Sequence, residues 1–187
     1  MSLRDVADIV DGLNERLGRA LAWLTLGMVV LQFAIVVMRY VFGLGSVIAQ
    51  EAVVYMHATL FLGGAAYTLL HKGHVRCDIF YRDASPRTRD LIDLCGVLLF
   101  LLPLCAVTFW MSWPYVANAW AVLEGSPKGD LGIPAVFLLK TVMLFFAVLL
   151  GLQGCSVAIR ACLRLARHEG LADRDGFLPS DDERGGH

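Results

Sequence analysis

Four long stretches of this 187-residue chain contain no Asp, Glu, Lys or Arg: Ala20 to Met38, Ala52 to Leu70, Leu94 to Leu123 and Thr141 to Ile159. A helix of nineteen such residues is roughly 28 Å long, close to the ~30 Å hydrocarbon core of a bilayer. Each run is therefore a membrane span. A soluble fold is the poorer explanation, because 57% of the residues are hydrophobic with glycine left out of the count, whereas soluble domains reach about 45–50% only with glycine included. Cysteine is scarce as well. Cys95, Cys105 and Cys155 lie inside the apolar runs, Cys77 and Cys162 lie outside them, and no Cys-x-x-Cys pair occurs. That excludes a structural disulfide framework and a cysteine-based zinc or iron–sulfur site. The net charge of −1 argues neither way about an anionic partner, and no nucleic-acid partner is expected.

What is present is a strong asymmetry of basic residues. Arg4, Arg16 and Arg19 precede the first span; Lys72, Arg76, Arg82, Arg87 and Arg89 separate the second from the third; Arg160, Arg164, Arg167, Arg174 and Arg184 follow the fourth. Only Arg39, Lys128 and Lys140 fall on the other side. Basic residues are retained in the cytoplasm, so both termini are expected inside and the two short connections outside. The expected fold is an all-α membrane protein of four transmembrane helices. Residues 1–19 form an amphipathic amino-terminal segment, because Leu3, Val6, Val10, Leu13 and Leu17 recur at helical spacing. Residues 20–163 form the membrane domain, with spans at about 20–38, 52–70, 91–113 and 135–159. Residues 164–187 are expected to be a flexible cytoplasmic tail. The first run is too long, and lacks a small-residue cleavage site before Arg39, to be a removable signal core.

Several polar or small residues stand out against this background. Arg39 and Glu51 bracket one outer turn, either as an ion pair or as two solvated interfacial charges. Gly63-Gly64-Ala65-Ala66 strips side-chain bulk from a full helical turn, which lets another helix approach closely. Ser85-Pro86 is a helix start. The thirty-residue uncharged third run exceeds the membrane thickness, so it protrudes or bends, with Pro103 and Pro114 as places for a kink. Trp110, Trp113, Tyr115 and Trp120 gather where that helix reaches the outer interface, as aromatic anchors do. Lys140, about 9 Å past Pro134, either snorkels to the surface or pairs with Glu124, Glu51 or a partner's carboxylate. Gln153, between Gly151 and Gly154, calls for an interhelical hydrogen bond. Arg160, Arg164 and Arg167 form a basic stripe suited to lipid headgroups.

The deep portions of the spans carry no carboxylate or charge relay of the kind an ion-coupled pump requires. No catalytic, cofactor or metal set is expected. Two other functions fit four helices: the membrane anchor of a redox enzyme and a self-sufficient small multidrug-type exporter. An anchor binding haem needs facing histidines, and only His57 lies well inside a span. An exporter needs an intramembrane carboxylate, and Glu51 sits at a boundary.

Arg39-Tyr40-Val41-Phe42, Gln50-Glu51-Ala52, Leu62-Gly63-Gly64-Ala65-Ala66 and Lys72-Gly73-His74-Val75-Arg76-Cys77-Asp78 are followed, in order, by further segments. These are Trp113-Pro114-Tyr115-Val116, Glu124-Gly125-Ser126, Gly132-Ile133-Pro134, Lys140 and Leu152-Gln153-Gly154. The ordered set resembles the DctQ-type small membrane subunit of tripartite ATP-independent periplasmic (TRAP) transporters, over roughly Leu17 to Leu163. Gln50 departs from the large residue often seen there, and the amino-terminal segment and tail fall outside the shared pattern. The resemblance implies a scaffold in a bacterial inner membrane that works with a large permease subunit and a periplasmic substrate-binding protein, amid membrane lipids, in sodium-coupled uptake of an organic acid. Arg39, Glu51, Gly63, Gly64, Lys140 and Gln153 are then the candidates for scaffold or partner contacts.

Overall fold

The computed structural model describes residues 3–71 and 85–175. Residues 72–84, with the Lys72 to Asp78 motif, and residues 176–187 lie outside the described part. Helix α1 (Leu3–Val41) runs 39 residues without a break, about 58 Å, so the amphipathic segment and the first span are one rod. A short turn leads to α2 (Val47–Leu70), whose first turn is capped by the Ser46 hydroxyl accepting from the Ala49 N–H at 3.2 Å.

The third span begins with α3 (Pro86–Gly96), capped by Ser85, whose hydroxyl accepts from the Thr88 N–H at 3.3 Å. It passes through one π-helical turn, Val97–Leu101, into α4 (Leu102–Ala121). Pro103 has no N–H and its ring crowds the carbonyl four residues back. The wider turn accommodates that defect, and the Leu102 N–H reaches back to the Val97 carbonyl. Pro114 lies within α4 without interrupting it. A 3-10 turn (Gly129–Leu131) precedes α5 (Val136–Asp175), which is 40 residues long.

Four helices are long and apolar enough to cross a membrane, and no strand occurs among the described residues. α5 is central, packing on α1, α2, α3 and α4. Its buried side is built of small or polar residues, Ala147, Gln153, Ser156, Ala158 and Ala161 among them. Gly154 lies against Leu101, and Gly151 against Cys105. Helices already in lipid associate through such close contacts rather than through hydrophobic exclusion.

Candidate functional site

Two polar clusters tie the bundle, one at each end, with an apolar groove beside the Arg-rich end. The cluster at the opposite end starts from the close of α4. Leu123 adopts a left-handed backbone (φ 46°), and the N–H groups of Leu123 and Glu124 return to the carbonyls of Trp120 and Ala119 at 3.3 and 2.9 Å. This helix-ending motif satisfies carbonyls that α4 would otherwise leave unpaired. It also sends Glu124 toward α5. There the Lys140 ammonium meets the Glu124 carboxylate at 2.5 Å and lies 3.8 Å from the centre of the Tyr115 ring. Lys140 is only 13% exposed, so the paired arrangement holds rather than a snorkelling one. The Trp120 indole donates to Thr141 at 2.9 Å, which clasps α4 to α5.

Glu51, near the start of α2, turns into the same loop. One carboxylate oxygen accepts from the Ser126 hydroxyl at 2.5 Å and the other from the Ile133 N–H at 2.7 Å. Gly132 is required here, because a Cβ would collide with Ser126 and with the Glu51 carboxylate. Arg39 has no partner among the described residues; Glu51 pairs with the loop instead.

The Arg-rich end is tied by α1 and α5. Their polar residues meet in antiparallel register: Asp8, Asp11 and Asn14 against Arg160, Ser156 and Gln153. The Asn14 amide donates to Gln153 at 2.7 Å, and the Gln153 amide donates to Asp11 at 2.9 Å. The Ser156 hydroxyl donates to Asp11 at 2.7 Å, and the Arg160 guanidinium bonds both Asp8 and Asp11 at 2.6 Å. Gln153 and Ser156 are each 1% exposed, and buried groups this polar are retained only when satisfied. Arg164 pairs with Asp90 at the start of the third span, at 2.7 Å. The basic stripe is therefore directed at carboxylates of the chain itself at Arg160 and Arg164. Glu15 bridges His71 at 2.7 Å and Arg19 at 2.8 Å. In this stretch before the span, His71 first and Arg19 second hold the Glu15 carboxyl below its usual range.

The groove, about 700 Å³, lies between α1, α2 and α5 and is lined by Gly18, Ala22, Thr25, Gly64, Phe146 and Leu150 among others. Gly63 and Gly64 divide here. A Cβ on Gly63 would press on Leu21 of α1, whereas one on Gly64 would meet nothing. Of the residues singled out by sequence, Glu51, Gly63, Lys140 and Gln153 contact other helices or the loop between α4 and α5, whereas Arg39 has no polar partner among the described residues and the Cα face of Gly64 opens on the groove. Trp110 and Trp113 are exposed on α4, with Phe109 and Pro114 around a shallow cavity of about 470 Å³. Tyr115 and Trp120 are engaged by α5 as described. Sequence reasoning missed Asp8, Asp11, Ser126 and Ser156. For three of them the signal was there, in acceptors at 8 and 11 on α1 facing donors on the same period of α5.

The family model for "Tripartite ATP-independent periplasmic transporters, DctQ component" matches residues 28–167. The chain is 30% identical over 131 residues to the C4-dicarboxylate TRAP transporter small permease protein DctQ of Vibrio cholerae serotype O1 (strain ATCC 39315 / El Tor Inaba N16961). The match covers 67% of this chain and 55% of that protein, so the chain spans about half the length of the curated relative. No solved structure matches it.

Proposed function

The chain belongs to the DctQ component family of tripartite ATP-independent periplasmic transporters, and on that premise we propose that it is the stationary scaffold of a sodium-driven organic-acid importer. Its family is a transporter component and not an enzyme, and the chain is a multi-pass inner-membrane protein. In this reading a large permease subunit carries the substrate and ion sites, a periplasmic binding protein delivers the acid, and both termini face the cytoplasm. The relative's printed name makes C4-dicarboxylates the first class to try.

One observation carries the reading. The charged side chains of the membrane helices gather at the two ends, where Asp11, Glu51, Glu124, Lys140 and Arg160 are consumed by pairs within the chain. The stretch between holds no carboxylate to bind or release an ion as solute moves. The exporter reading suits the geometry less well, since both oxygens of Glu51 are occupied by Ser126 and Ile133. The haem-anchor reading lacks a facing pair of histidines: among the described spans only His57 lies well inside one, and His71 at the end of α2 is bound to Glu15.

Co-purification from membranes expressing the chain with its large subunit tests the assignment. A stoichiometric complex, with activity reporters fused to either terminus reading as cytoplasmic, is the expected result. A chain that purifies alone, or a terminus mapped outside, contradicts it.

A further inference from the structure

We propose that one face of α1 is an unfilled helix-packing seam that receives a transmembrane helix of the large permease subunit; this rests on the scaffold assignment above. The residues of α1 sort into three faces, each with the alternating three- and four-residue spacing of left-handed helix pairs. Leu21, Leu24, Met28, Leu31 and Ile35 are all partly covered and turn toward the chain's own bundle. Two positions further round the helix, Trp23, Leu26, Val30 and Phe33 are bulky and exposed, as suits a lipid-facing side. Between them runs Ala22, Thr25, Val29, Gln32, Val36 and Arg39, every one exposed.

That middle face is chemically wrong for lipid. Gln32 lies thirteen residues from Arg19 and seven from Arg39, about 20 and 10 Å of helix, which sets it within the hydrocarbon. Its carboxamide has no hydrogen-bond partner among the described residues. Neither has the Thr25 hydroxyl, although Thr59, Thr68 and Thr141 each donate to the carbonyl four residues back. Polar groups in hydrocarbon are expensive unless satisfied, and interhelical hydrogen bonds are how membrane helices satisfy them. The seam also begins in the groove, where Ala22 and Thr25 face the open space over Gly64. Small residues there admit an approaching backbone.

The charge selects the occupant. Arg39, at the far end of the seam, has no carboxylate among the described residues. A second copy of this chain docked in the same membrane orientation about a two-fold axis would set Arg39 beside Arg39, like charges at close range. The fitting partner is a different helix, with a hydrogen-bonding side chain level with Gln32 and a carboxylate level with Arg39.

The test uses the full chain co-expressed with its large subunit. A benzophenone amino acid is introduced at Val29 or Val36 on the seam, or at Leu26 or Phe33 on the lipid side. Irradiation is expected to yield a covalent adduct of chain plus large subunit from the two seam positions only. Gln32→Leu should lower recovery of the large subunit roughly three- to tenfold while leaving the melting of the isolated chain unchanged, because no internal hydrogen bond is removed. Chain-to-chain adducts overturn the proposal, as do adducts mainly from Leu26 and Phe33. So does a complex that co-purifies yet gives no adduct from the seam. If the native chain never retains the large subunit, the scaffold assignment itself has failed, and the seam proposal with it.

Discussion

The first and last membrane helices are equally hydropathic, yet 6% of the most apolar window of α1 is buried inside the protein against 28% of that of α5. Hydropathy records the lipid both helices share. What distinguishes them is the pattern of small and polar residues. α5 carries Ala147, Gly151, Gly154, Ala158 and Ala161 on its covered side, which lets four helices converge on it. α1 carries bulk outward and is held along one side only, by Gly18 against Tyr67, Gly63 against Leu21, the Glu15–His71 bridge and the Asp11 network. A scaffold subunit needs both kinds of helix, one to hold itself together and one to offer a surface.

Removing the tie at Asp11 is the largest blow to this difference. Asp11→Ala leaves Gln153, Ser156 and Arg160 with lost partners, two of them fully buried, and stability in detergent should fall by about 3–4 kcal/mol, read as a shift in the denaturation midpoint. A double-mutant cycle with Gln153→Leu sharpens it: the two effects should be strongly non-additive, since the groups share one network.

The two glycine positions of the groove come next. Gly18→Ala drives a Cβ into the Tyr67 ring and should cost about 1–3 kcal/mol. Gly64→Ala fills open space and should leave the isolated chain as stable or slightly more so. Equal losses at both would mean α1 and α2 are packed differently from this description.

Gly132→Ala is smaller in its global effect. It dislodges Ser126 and the Glu51 carboxylate, so hydrogen exchange at the Ile133 N–H should quicken while the α1–α5 contacts stay protected.

The smallest effect belongs to the Glu15 bridge. Its carboxyl is held below the usual range by His71 and Arg19, so its folded pKa is the depressed one. The contribution is present above the unfolded value near 4.5 and is lost as the pH falls through the folded value. Glu15→Gln should abolish that acid-side change and leave neutral-pH assembly intact, as measured by exchange at the end of α2.

The four spans, the helix start at Ser85 and the polarity of Gln153 were legible in the sequence, because charge exclusion and capping are local properties of a helix in lipid. The union of the amphipathic segment with the first span was not, since periodicity shows a face but no boundary. The register of α1 on α5 was half visible: acidic residues at 8 and 11 look like surface charges until the donors at 156 and 160 are set beside them. Lys140 could be narrowed to snorkelling or pairing, but choosing Glu124 required the left-handed Leu123 turn. A leucine gives no hint of such a backbone.

The central claim is that this chain supports transport without performing it. Sodium-driven uptake of labelled organic acids, C4-dicarboxylates included, should be measured in proteoliposomes holding the chain alone, the large subunit alone, or both, each with the binding protein outside. The account predicts no gradient-dependent flux for the chain alone and robust flux for the pair. Gradient-dependent uptake by the chain alone contradicts it.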